Sequence, residues 1–129
     1  MLFLRFGGVV LLLAFGAVLL PTDWMAAVHR WLGMGEFPDA PLTDYLVRSV
    51  AALYGFHGVL VLIVAGDPAR YERIVLFLGA MDIVFGLMMV AIDLHAGMPI
   101  VWTALEGPPL VGVGVLLLYL RRRAGIQSA

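Results

Sequence analysis

Cysteine is absent from all 129 residues, which excludes disulfides, thiolate catalysis, iron–sulfur clusters and cysteine-based zinc sites. Lysine is absent as well, so all eight cationic side chains are arginine. Charge of either sign is scarce at 13% of the chain, against roughly 25% in ordinary soluble domains. The net charge of -1 and the lack of any basic stripe leave nothing to neutralise nucleic-acid phosphates, so no nucleic-acid partner is expected. The chain contains no GxSxG elbow, no Walker loop and no HExxH pair. It also has no convincing internal repeat and no low-complexity tract.

What the chain has in abundance is apolar surface. Hydrophobic residues make up 63% of it and its mean hydropathy is +1.02, a composition suited to the bilayer rather than to a water-excluding globule. Four apolar segments stand between punctuating residues, at about 2–20, 44–65, 70–95 and 100–122. The first holds one charge, Arg5, and stops at Pro21. About 19 residues at ~1.5 Å each suffice for one crossing. A signal peptide is the alternative there, since "AFGA" offers a small-residue cleavage site. The second is expected to start at Asp44, with Thr43 as N-cap and Leu42 and Val47 as a hydrophobic staple, and to close at Gly66. In "GDPARYER" Asp67 caps the following helix and Pro68 fills its first turn, so spans two and three form a tight hairpin. The third ends at Gly97 and Pro99. The fourth is read as one helix bent at Pro108 and Pro109, or else as a short interfacial helix at 100–106 followed by a brief span. Between spans one and two, "TDWMAAVHRWLG" predicts a helix over 23–32 lying on the membrane, capped by Thr22. Trp24, Val28, Trp31 and Leu32 share its apolar face, and Gly33 ends it.

The expected fold is therefore an all-α integral membrane protein, a single membrane domain over 1–129. It is a four-transmembrane-helix antiparallel bundle with a short external interfacial helix between the first two spans. Arg5, Arg70, Arg73 and the run Arg121 to Arg123 fall on one side, which by the positive-inside rule makes both termini cytoplasmic. Trp24, Trp31 and Trp102 then lie in external segments, as an interfacial aromatic belt requires. A bacterial inner membrane is the expected location.

Ionisable groups inside such segments are expensive and mark either function or internal pairing. Val75, Gly79, Asp82, Gly86, Met89 and Asp93 recur at steps of three and four, a stripe of small residues and acids that should face other helices rather than lipid. Arg48, Ala51, Ala52, Gly55 and Val59 make a comparable face on span two. Folding the chain at residues 66 and 67 brings Arg48 to the depth of Asp93, so an ion pair between them is expected, with Glu106 as second partner and His95 and Trp102 nearby. This polar cluster is read either as a clamp on the outer helix ends or as a ligand site. Tyr54, His57 and Asp82 form a deeper intramembrane polar set. His57 reads as a hydrogen-bonded interior histidine or as a haem ligand, and Asp82 as a protonated acid or a carrier of protons or ions. No two of Asp93, His95 and Glu106 have a metal-binding spacing such as HxxxH, so no metal is expected.

The stretches "YLVRSVAALYGFHGVLVLI" and "IDLHAGMPIVWTALEGPPL" resemble small four-helix bacterial membrane proteins of the DoxX-like group and its uncharacterised relatives. Some proteins of that group are associated with quinone-linked oxidoreductases, which the resemblance makes a conceivable setting here. It carries no cofactor residue over, since no catalytic motif defines the group. The leading expectation is a non-enzymatic inner-membrane protein without a cofactor, an accessory or scaffold subunit or a lipid-type ligand binder. Its partners would be the bilayer and a membrane protein or a second copy of itself. The rivals are a quinone- or haem-linked oxidoreductase subunit and a proton-coupled transporter or channel.

Overall fold

A computed structural model describes residues 2–123, and every regular element among them is helical. In chain order these are α1 (Leu2–Leu12), α2 (Phe15–Leu19), α3 (Thr22–Trp31), α4 (Pro41–Gly66), α5 (Glu72–Ala96) and α6 (Ile100–Arg123). Leu2–Leu19, α4, α5 and α6 are each long and apolar enough to cross a membrane. The chain divides into two compact units, one ending at Gly66 and the other beginning at Asp67.

Helix boundaries follow local chemistry, with several shifts from the sequence reading. The first span is not one regular helix. Ala14 N–H bonds to Leu11 O at 3.1 Å and Gly16 N–H to Leu13 O at 2.9 Å, tight turns that separate α1 from α2. Thr22 is the first residue of α3 rather than its cap, and its hydroxyl donates instead to Asp44 Oδ1 at 3.3 Å. Gly33 follows α3 at φ 78°, the left-handed conformation that ends helices. Trp24, Val28 and Trp31 lie exposed on this helix, the apolar face that an interfacial helix turns toward acyl chains. Pro41, not Asp44, opens α4, and the N–H groups of Thr43 and Asp44 both reach Ala40 O. Proline suits that position because a first-turn N–H has no intrahelical partner to lose.

Asp67 Oδ1 accepts the Arg70 N–H at 3.1 Å, which caps a turn and not the helix it was expected to start, whose N-cap is Tyr71. Residues 68–71 form that turn, and regular α5 begins only at Glu72. At the other end Gly97 takes φ 71°, with Gly97 N–H on Leu94 O and Met98 N–H on Asp93 O, the paired bonds of a Schellman stop. α6 is one uninterrupted helix through Pro108 and Pro109, so the split into an interfacial helix and a brief span is not what forms.

Each unit is held by a glycine seam. In the first, α1 runs antiparallel to α4. A Cβ added at Gly58 would stand 2.6 Å from Leu12 N and 2.8 Å from Gly8 O. The Phe15 ring covers Gly55 and meets Phe56 edge-on, with centroids 5.1 Å apart. The α4 face runs through Ala51, Gly55 and Gly58, while Val59 is exposed. At 3.6 residues per turn, the position three after Gly55 continues the face toward α1, and the position four after it has already rotated outward.

In the second unit α5 and α6 meet at two glycine pairs. A Cβ at Gly114 would lie 2.5 Å from Gly79 O and 2.9 Å from Ile83 N, and one at Gly86 would lie 2.7 Å from Gly107 O. Seven-residue steps along α5 (Glu72, Gly79, Gly86, Asp93) are answered by seven-residue steps back along α6 (Arg121, Gly114, Gly107). This is the repeat that keeps one seam facing its neighbour. Val75, Leu78 and Leu117 are buried along it. Small residues let helices approach closely enough for van der Waals contact to hold them where no hydrophobic effect acts between them.

Candidate functional site

The heptad register that buries Gly79 and Gly86 also buries the residues at the next steps along α5. At one end that is Glu72, 8% exposed, whose Oε1 accepts a hydrogen bond and ion pair from Arg121 Nη2. Arg121 Nε is buried with no hydrogen-bond partner. At the other end it is Asp93, 3% exposed in the last turn of α5; on α6 the seven-residue step falls on exposed Ile100, and the buried residue is Thr103, 4% exposed and one turn before Gly107.

Glu106 stands one turn beyond Thr103 on α6 and has Asp93 as its electrostatic neighbour. The register sets Asp93 opposite Thr103, one turn before Glu106. Val90 packs where a Gly107 side chain would be, so one turn further along α5 comes opposite one turn back along α6. Trp102 flanks the group and its indole N–H donates to the Glu106 carboxylate. Three oxygens here are buried with no hydrogen-bond partner: Asp93 Oδ2, Thr103 Oγ1 and Glu106 Oε2. Two acids and a hydroxyl thus converge at the end of the α5–α6 seam with acceptor capacity left over. Buried oxygens that lack a hydrogen-bond partner are costly.

The other expected residues are distributed as follows. Arg48 is committed inside its own unit: its Nε pairs with Asp44 Oδ2 at 2.8 Å and its Nη1 donates to Val18 O. Its ion pair is thus with a residue one helical turn earlier and not with the expected Asp93. His95 is exposed. Tyr54 and His57 are half-buried on α4 and Asp82 is half-buried on α5.

Sequence reasoning passed over Thr103, Asp44, and the pair of Glu72 with Arg121. The spacing of Asp44 and Arg48, four apart, was signal enough for an intrahelical pair. Glu72 and Arg121 could have been found by extending the Gly79–Gly86 heptad one step outward. Among the described residues no group of three or more His, Cys, Asp and Glu side chains comes together to hold a metal ion.

Fold and composition together define a small all-α protein with four helices able to span a membrane, which makes it a multi-pass membrane protein. Compared with protein-family models, with curated proteins and with solved structures, the chain matches none.

Proposed function

We propose that this chain is a non-enzymatic accessory or scaffold subunit of the bacterial inner membrane, with both termini cytoplasmic, that works through the outward faces of its helices. The observation that carries this reading is the filling of both helix pairs by backbone: Gly8 on Gly58, Gly79 on Gly114 and Gly86 on Gly107 close each pair to van der Waals contact. The side chains on offer are then the outward ones, such as Leu53, Phe56 and Ile63 on α4 and Phe77, Val84 and Leu87 on α5. In a bilayer such faces meet lipid or the helices of another membrane protein. The resemblance to the DoxX-like group adds a candidate setting, a quinone-linked oxidoreductase assembly in which this chain would carry no cofactor.

Gentle detergent extraction from native membranes tests the proposal. The expected result is a colourless, quinone-free species that migrates with a second polypeptide in fixed ratio, well above its own 14.0 kDa. A chain that runs alone and yields a Soret band, or a quinone on solvent extraction, would overturn it in favour of the redox reading. Ion flux in proteoliposomes that Asp82→Asn abolishes would overturn it in favour of transport.

A further inference from the structure

The end of the α5–α6 seam has the makings of a site for a hard cation. The three orphaned oxygens come from three side chains on two helices: Asp93 Oδ2, Thr103 Oγ1 and Glu106 Oε2. Two of the residues are among the most buried polar groups of the chain, Asp93 at 3% and Thr103 at 4% exposure. The donor nearby, the Trp102 indole, is directed at Glu106 and leaves these oxygens as they are. One proton shared between the carboxyl groups would relieve their mutual repulsion. It would still leave the Thr103 hydroxyl oxygen without a partner, although buried hydroxyls are nearly always satisfied. A cation drawing on all three oxygens satisfies the whole set.

Chemistry then selects the class of ion. The set is oxygen only, with His95 exposed and outside it, and carboxylate, hydroxyl and water oxygens suit magnesium and calcium rather than zinc or copper. Charge selects the valence. Two carboxylates balance one divalent ion, whereas a monovalent ion would leave a net negative charge in a desolvated place. Geometry is favourable as well. The seam glycines and the Schellman stop at Gly97 fix the two backbones that carry the ligands, so little ordering remains for binding to impose. Spacing rules for metal ligands on one helix miss such a site because its ligands are divided between two helices.

We infer that Asp93, Thr103 and Glu106 form a binding site for a hard divalent cation, calcium or magnesium, at the end of the α5–α6 hairpin. The inference is independent of the accessory role proposed above. It is tested on the full chain in detergent micelles after chelator treatment. Trp24→Phe and Trp31→Phe leave Trp102 as the reporter beside the site. Calcium chloride and magnesium chloride are titrated separately to about 10 mM, beyond the weak end of protein calcium sites, with potassium chloride matching the ionic strength. The expected result is a saturable change in Trp102 emission with at least one of the two ions. A rise in melting temperature should accompany it, since a ligand that binds only the folded state stabilises that state. Glu106→Gln should abolish both responses, and Thr103→Val, which keeps the shape and removes the ligand oxygen, should weaken the affinity about tenfold or more. No saturable response to either ion would overturn the inference. So would a response that potassium reproduces, or one that survives Thr103→Val unchanged. The wild-type titration and the near-isosteric valine variant keep the test decisive even if Glu106→Gln fails to fold.

Discussion

Both helix pairs are seamed by glycine, but the first touches at one glycine pair and the second at two, and the difference decides where charge can sit. In the α1–α4 pair, Gly8 and Gly58 touch, and then the Phe15 ring takes over above Gly55. The ion pair of that unit's spans stays at its edge, with Arg48 bound to Asp44 and to the Val18 carbonyl. In the α5–α6 pair the backbones stay close across a full heptad, and Glu72, Asp93 and Thr103 just beyond the glycine pairs are buried with them. Glu72 and Arg121 compensate each other at one end. Asp93, Thr103 and Glu106 at the other end keep unused oxygens. Close backbone approach is thus more than a packing device in the second unit, because it determines which polar residues are desolvated.

The contrast can be broken by filling the seams. Gly114→Leu places carbon against Gly79 O and Ile83 N, atoms of a neighbouring backbone that cannot swing aside. It should cost about 3 kcal/mol or more, read as a large fall in the denaturant midpoint of the detergent-solubilised protein. Gly112→Ala, where an added Cβ meets nothing within 4 Å, should leave that midpoint unchanged. Equal effects from these two substitutions would remove the seam from the account.

Next in size is Arg121→Ala. It leaves the Glu72 carboxylate buried without its partner and should cost about 3 kcal/mol, measured in the same way. Glu72→Ala should cost less, because the long arginine stem lets its head move toward the interface. In the first unit Gly55→Ala presses on a phenylalanine ring rather than on backbone, and rings can turn. About 1 kcal/mol is expected, with the Phe15–Phe56 contact as the part that shifts. Arg48→Ala should have the smallest effect of the destabilising substitutions, since it removes a pair at the periphery of its unit whose side chains are 29% and 39% exposed. A loss as large as that of Arg121→Ala would mean that the two pairs are alike after all.

How far the sequence foretold this depends on what kind of signal each feature leaves. The four spans are legible because hydropathy is a sum over many residues and tolerates local error. The Gly33 and Gly97 stops are legible because each depends on one residue type doing one geometric task. Of the α5 stripe read from its spacing, Val75, Gly79, Gly86 and Asp93 are buried while Asp82 and Met89 are only half-buried. Helix starts were less legible. Pro41 and the turn at 68–71 follow from which N–H groups find partners, and neighbouring residues can satisfy those in several ways.

The α4 face was displaced by one position, Val59 for Gly58, because apolarity does not separate a lipid-facing valine from a seam-facing glycine. The partner of Arg48 was sought by matching depths across a fold at residues 66 and 67, which overlooked the nearer acid four residues away. Thr103 drew no attention because a threonine near a helix start is unremarkable until the facing helix is known. The candidate site was therefore half visible, its acids from their cost in an apolar chain and its hydroxyl only from the register of α6 on α5.

A chain without cysteine offers a direct test of the two seams. A Cβ on Gly8 would lie 2.8 Å from Leu62 Cγ, and one on Gly79 would lie 2.8 Å from Leu118 Cγ. The Cβ atoms of each pair therefore fall near the ~3.8 Å that disulfides favour. Gly8→Cys with Leu62→Cys, and separately Gly79→Cys with Leu118→Cys, should each form an intrachain disulfide on mild oxidation in native membranes, detected by mass spectrometry of the digested protein. Thiols that stay reduced in both variants, or that link only between chains, would contradict the glycine-seamed helix pairs on which this account rests.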